Sequence, residues 1–366
     1  MIPYSGRPNG LFSRHDEPSA WEAYDAGPLS SRLAGRDVAA RPGFGALRYP
    51  SAVIEFPSTV VEQFQRRVHA VTDSILKVVV ARPDVIRMAI LGLLCQGHVL
   101  LDDLPGVGKT LLAKALAQSL DATFKRIQFT PDLLPTDITG SSIYDPGSRE
   151  FHFAPGPVFA NIVLADEINR SSPRTQSALL EAMGEGQVTF DGVAHPLPRP
   201  FFVIATRNLA ELHGTFPLPQ AQLDRFLLAF GIGYPSEEEE VEILERHEHG
   251  QSSPSPVLSA EEIVTMQDHL YRVEVSRPVK EYIARIVAAT RTREEIAVGV
   301  SPRGAVHLQR VAQGRAAMEG RSFATPDDVK AVAPAVLLHR LLPRSSQPGA
   351  AAASLDAILD SVPIPL

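Results

Sequence analysis

Between residues 57 and 235 the apolar positions switch back and forth between helical and strand-like spacing, and after residue 235 only helical spacing persists. Val60, Val61, Phe64, Val68, Val71, Ile75 and Leu76 recur as one helix face, and residues 83–96 read as a second helix. Val99-Leu100-Leu101 then forms a short apolar strand. After a glycine-bearing loop, Leu111, Leu112, Ala115, Leu116 and Leu120 return to helical spacing. Residues 124–129, 161–167, 201–208 and 227–232 read as further buried strands. Between them Ser172-Pro173 announces a helix, with a capping serine and a proline at the first position. This alternation predicts an α/β domain with a parallel sheet flanked by helices. Two pairs of short arms interrupt it, residues 142–153 about Pro146-Gly147 and residues 187–197 about Asp191-Gly192, and both read as hairpins.

Past Tyr234-Pro235 the spacing predicts helices over residues 237–249, 259–271 and 279–290, and two more opening at Ser301-Pro302 and Thr325-Pro326. The expected organisation is a disordered arm over 1–56, an α/β core with hairpin inserts over 57–235, an all-helical lid over 236–342 and a flexible tail over 343–366. A length of 366 residues suits about two domains plus tails. The net charge of -7 offers no electrostatic invitation to nucleic acid. A single cysteine, Cys95, rules out an internal disulfide and a cysteine-based zinc cluster. With no apolar run near the roughly 20 residues of a membrane span and no apolar signal core, a cytoplasmic protein is expected.

The candidate chemistry starts in the loop Asp103-Leu104-Pro105-Gly106-Val107-Gly108-Lys109-Thr110. Gly106 and Gly108 let the backbone bend and turn several N–H groups toward one anion at a helix N-terminus. Lys109 adds a point charge for β- and γ-phosphates, and the Thr110 hydroxyl suits Mg²⁺. Asp103 stands where loops of this kind begin with glycine. The strand over 161–167 ends in Asp166 and Glu167, where ligands bind in open parallel sheets. Asp166 is expected to hold hydrated Mg²⁺, Glu167 to polarise an attacking water and Asn208 to orient it. Arg225 has two readings, a surface pair with Asp224 or Glu211, or an arginine reaching a neighbouring subunit's ATP. Arg303 lies in a helix's first turn, where the dipole disfavours a cation by a few tenths to about one kcal/mol, which suggests an anionic ligand.

Taken together these residues resemble the MoxR-type AAA+ ATPases over roughly residues 57–342. The phrases that carry the resemblance include Pro105 to Thr110, Thr130-Pro131-Asp132-Leu133-Leu134-Pro135 and Leu164-Ala165-Asp166-Glu167-Ile168-Asn169-Arg170. Gly214-Thr215-Phe216-Pro217-Leu218-Pro219 and Ser301-Pro302-Arg303 complete the set. The resemblance implies a P-loop AAA+ core with a helical lid. It makes Asp166 and Glu167 the Walker B pair, Asn208 sensor 1, Arg225 the arginine finger and Arg303 sensor 2, with residues from Pro105 to Leu111 around the nucleotide. It also implies ATP and Mg²⁺ as cofactors, a homo-oligomeric, commonly hexameric ring, and protein clients, often with von Willebrand factor A domains. One departure falls at Val80-Ala81-Arg82-Pro83, where the family usually carries Val-Gly-Gln against adenine. The related magnesium-chelatase motor subunits and a nucleotide-gated scaffold with little turnover are the alternative readings.

Overall fold

The computed structural model describes residues 58–103, 106–208, 215–248 and 253–365. The expected arm over 1–56 lies outside these, as do Pro105, Glu211 and Gly214.

Helices α1 (Ser58–Leu76) and α2 (Pro83–Leu94) precede strand β1 (Val99–Asp103), and α3 (Lys109–Ser119) leads to β2 (Phe124–Gln128). A short α4 (Pro135–Thr139) opens the hairpin β3 (Gly140–Asp145) and β4 (Glu150–Pro155). After β5 (Ile162–Asp166) and a tight helical turn, Ile168–Arg170, come α5 (Pro173–Glu185) and a second hairpin, β6 (Gln187–Phe190) and β7 (Val193–Pro196). β8 (Phe202–Asn208), α6 (Gln220–Leu223) and β9 (Leu228–Phe230) complete a five-stranded parallel sheet in the order β2-β5-β8-β1-β9. The inner strands β1, β5 and β8 are buried along nearly their whole length because both faces of the sheet are covered, whereas the edge strand β2 exposes Lys125 and Arg126. Val99 and Leu101 face the cluster built with α1, α2 and α3, and Leu100 faces the one built with α5.

The lid follows as α7 (Glu237–Glu248), α8 (Ala260–Leu270), α9 (Arg277–Thr292), β10 (Ile296–Val298), α10 (Pro302–Met318) and α11 (Pro326–Leu337). A second tight turn, Leu338–Arg340, then β11 (Leu342–Pro343) and α12 (Ala350–Ser361) end the described chain. The lid is helical, with one short antiparallel ladder, Ile296 to Pro343 and Val298 to Leu342, that the spacing did not predict. The expectation of a flexible tail from residue 343 is corrected. α12 buries Leu355, Ile358 and Leu359, and the Arg293 guanidinium beneath it donates to Ser361 Oγ at 3.0 Å. No helix among the described residues is long and apolar enough to cross a membrane.

Both inserted hairpins form, and aromatic rings join them. Phe153 of β4 stacks on His195 of β7 with centroids 4.2 Å apart and lies 5.2 Å from Phe190 of β6. Ile143, Tyr144, Phe151 and Val193 stay exposed on the hairpins.

Candidate nucleotide site

The loop between β1 and α3 turns on two left-handed glycines, Gly106 at φ +86° and Gly108 at φ +88°. A Cβ built on either would meet no protein atom within 4 Å, so both face open space. Gly108 caps α3, which begins with Lys109, Thr110 and Leu111. The Lys109 ammonium donates to the Asp103 carbonyl at 3.2 Å, which keeps it over the loop. A cleft of about 570 Å³ opens beside it, walled by Gly106, Val107, Gly108 and Leu111 on one side and Val79, Val80 and Ala81 on another. The segment that departs from the family pattern therefore still borders the cleft. Tyr234 from the core-to-lid linker and Ile243 from α7 line the rest.

The expected acidic pair lies two strands away, at the C-terminal end of β5. β8, ending in buried Asn208, runs between β5 and β1, and Asn208 is in register with Asp103. Thr206 of β8 fixes the pair: its Oγ1 donates to Asp166 Oδ1 at 2.6 Å and accepts from the Glu167 amide at 2.8 Å. Glu167 takes up a left-handed backbone at φ +58°, a conformation costing a non-glycine residue on the order of 1 kcal/mol. Its Oε2 accepts from Gln128 Nε2 at 2.8 Å and pairs with Arg170 at 3.4 Å. Asp166 Oδ2 accepts from the Arg126 guanidinium at 2.7 Å, which balances the carboxylate's charge in this arrangement. The Asp166 carboxylate and the Thr110 hydroxyl at the start of α3 are oxygen donors of the type a hydrated divalent cation takes. Gln128, Arg126 and Thr206 were not found by sequence reasoning, because only strand pairing brings them beside the pair.

Buried Gln176 of α5 ties two phrases that are far apart in sequence. Its Nε2 donates to the carbonyls of Ile168, Ser171 and Phe216, and the Phe216 amide donates to Asn169. The stretch from Thr215 is thereby docked on the turn that follows the acidic pair.

Arg225 and Arg303 stand apart from the carboxylates, on either side of Asp224. Arg225 is exposed and its Nη1 donates to the Leu180 carbonyl of α5 at 2.6 Å. Among the described residues Asp224 pairs with other arginines, not with Arg225, and Glu211 is outside them. Arg303 Nη1 lies 4.0 Å from Asp224 Oδ2. The firm partner is Arg340, a residue the sequence did not flag, whose Nε donates to Asp224 Oδ1 at 2.9 Å with only 1% of its side chain exposed. Burial lowers Arg340 to about 10, and it stays protonated. It donates to His307 Nδ1 at 2.6 Å, while burial, with Arg340 beside it, pushes His307 down to about 3 and keeps the ring a neutral acceptor.

The sheet order, with the glycine-rich loop leaving an inner strand and a helical lid beside it, defines the AAA+ class of P-loop proteins. Residues 98–228 match the ATPase family associated with various cellular activities, and residues 288–362 match the AAA lid domain. The chain is 48% identical over 299 residues to the YeaC protein of Bacillus subtilis (strain 168), covering 80% of this chain and 93% of that one. It is 41% identical over 300 residues to Chaperone MoxR1 of Mycobacterium tuberculosis, covering 79% and 80%. A crystal structure of a candidate ATPase from Cytophaga hutchinsonii superposes with a TM-score of 0.77 at 36% identity, over 84% of this chain and 98% of that one. The chain belongs to the MoxR-type AAA+ ATPases.

Proposed function

We propose that this chain binds ATP with Mg²⁺ in the cleft beside Gly106 and Gly108, hydrolyses it, and uses the turnover to remodel or activate partner proteins. What carries this reading is the Thr206 bridge, which holds Asp166 and Glu167 in fixed, different settings two strands from a glycine-cradled loop. Gly106, Val107 and Gly108 offer backbone donors to the phosphates, Lys109 a positive charge, and Leu111 an apolar wall. Thr110 and, through water, Asp166 hold Mg²⁺, which when bound neutralises charge on the phosphate oxygens. Glu167 takes the proton of the attacking water and Asn208 orients that water.

Arg225 acts in trans on the ATP of a neighbouring copy, so the working form is a homo-oligomeric ring, a hexamer, in the cytoplasm. Arg303 reads a γ-phosphate and turns its loss into movement of the lid. The exposed apolar side chains of the two stapled hairpins, Ile143, Tyr144 and Phe151 on one and Val193 on the other, touch the clients, among them proteins with von Willebrand factor A domains that carry a metal site. Glu167→Gln tests the chemistry. The variant should keep ATP affinity while turnover falls about 100-fold or more. Turnover at the wild-type rate would overturn the assignment of the base.

A further inference from the structure

We propose that Asp224 and Arg340 are positioning residues that tie the setting of Arg225, aimed at the neighbouring copy, to the lid and to the helix end that carries Arg303. This rests on the trans role given to Arg225 above.

The segment between α6 and β9 carries Arg225, and the lid grips it. Asp224, the residue before Arg225, meets the lid at three side chains. Ser301 Oγ lies 3.1 Å from Oδ1 and 2.9 Å from Oδ2, Arg340 Nε is 2.9 Å from Oδ1, and Arg303 Nη1 is 4.0 Å from Oδ2. Ser301 is also the cap of α10, its Oγ accepting from the Gly304 amide, so the carboxylate is fastened to the helix end that carries Arg303. Arg340 closes the grip from below, donating to the carbonyls of Phe226, Leu227 and its own Val336. Room for its stem comes from Gly304, where a Cβ would fall 3.1 Å from Arg340 Cδ and 2.3 Å from Val300 Cγ1. His339 Nε2 adds a bond to the Phe226 carbonyl at 3.1 Å, and Gln220 Nε2 donates to the His339 carbonyl at 3.0 Å.

The two arginines on Asp224 differ in kind. Arg340 is buried, so breaking its pair would strand a charge away from water. Arg303 keeps 55% of its side chain exposed at a longer separation, and such a pair exchanges for another anion at little cost. One carboxylate thus has a fixed partner and an exchangeable one. The Arg225 side chain is held on its own α/β core by a hydrogen bond to Leu180, and the turn beside it, fastened to the core by the Leu227 amide on the His98 carbonyl, is bound to the lid as well, through Ser301, His339 and Arg340. When Arg303 leaves Asp224 for a phosphate, or the lid turns, the Arg225 turn follows.

Complementation in mixed rings tests this. Arg225→Ala protomers keep a hydrolytic site but lack the arginine; Glu167→Gln protomers keep the arginine but lack the base. An equimolar mixture should recover turnover that neither has alone, through Arg225 of one acting on the site of the other. Adding Asp224→Asn to the Glu167→Gln protomer should reduce the recovered rate about tenfold, against about twofold or less when it is added to the Arg225→Ala protomer. Arg340→Lys should show the same asymmetry, and if Asp224→Asn protomers fail to fold, Asp224→Glu takes their place under the same criterion. Recovered activity that responds equally to the substitution on either side overturns the coupling. Absence of any recovery in the parent mixture instead overturns the trans role of Arg225 itself.

Discussion

Asp103 occupies the position where phosphate-binding loops of this kind start with glycine, and its side chain has a task that glycine cannot perform. The buried carboxylate accepts from the amides of Ile232 at 2.5 Å and Gly233 at 2.9 Å, in the linker that leaves β9 for the lid. It therefore clamps the first residue of the loop to the hinge between core and lid. Asp103→Gly restores the common motif, yet it should lower stability by about 3–6 kcal/mol, since two hydrogen bonds to a charged group contribute about 1.5–3 kcal/mol each. The check is a thermal or urea melt; a midpoint equal to or above wild type would show that the clamp contributes nothing. The sequence exposed Asp103 only as a departure from a pattern, because its partners lie 129 and 130 residues further on. Arg340 was hidden for the same reason, with Asp224 116 residues before it. Glu167, Asp166 and Asn208 were legible because each ends an apolar strand, where parallel sheets bind ligands.

Among the elements, the strands and long helices followed from period alone, and the misreading at the C-terminus is instructive. The Pro, Ser and Ala content after residue 343 suggested a loose tail, but Leu355, Ile358, Leu359 and Val362 recur at helical spacing and all four are buried. Composition was given weight that periodicity should have carried. Ile358→Ala should destabilise the fold by about 2–4 kcal/mol, the cost of emptying a packed core site, as read from a urea transition. A change below about 0.5 kcal/mol would place α12 outside the cooperative unit.

Histidines stitch other elements together and make that unit sensitive to acid. His98, just before β1, uses both ring nitrogens: Nδ1 accepts from the Val203 amide of β8 at 3.0 Å, and Nε2, assigned as the protonated nitrogen, donates to the Met183 carbonyl of α5 at 3.1 Å. Burial pushes it down to about 4. His307 is pushed to about 3, and burial, with Arg340 beside it, sets His339 well below the usual range. An unfolded histidine titrates near about 6.5, so below that pH the unfolded chain binds protons that the folded chain refuses. This part of the stability is complete above about pH 7 and is lost as pH falls from about 6.5 toward about 4. Urea midpoints should be lower at pH 5 than at pH 7.5, and a midpoint unchanged or higher at pH 5 would contradict these assignments.

At the scale of the whole molecule, the α/β core and the helical lid belong to one compact unit, Ile54–Leu366, and the cleft opens where the loop, the linker and α7 meet. The architecture was legible because alternation gives way to helices at Tyr234-Pro235 and because five separated phrases share one family. The coupling across the core and lid was not, since it depends on residues brought together only by docking: Asp103 on the linker, Asp224 on Ser301 and Arg340. On the proposed trans role of Arg225, hydrolysis is a property of the assembly. The most direct measurement is Mg²⁺-dependent ATP hydrolysis per protomer across a wide range of protein concentration. The account predicts a rate that rises steeply and then levels as rings fill, whereas hydrolysis at a constant rate per protomer down to the most dilute sample would contradict a site completed by its neighbour.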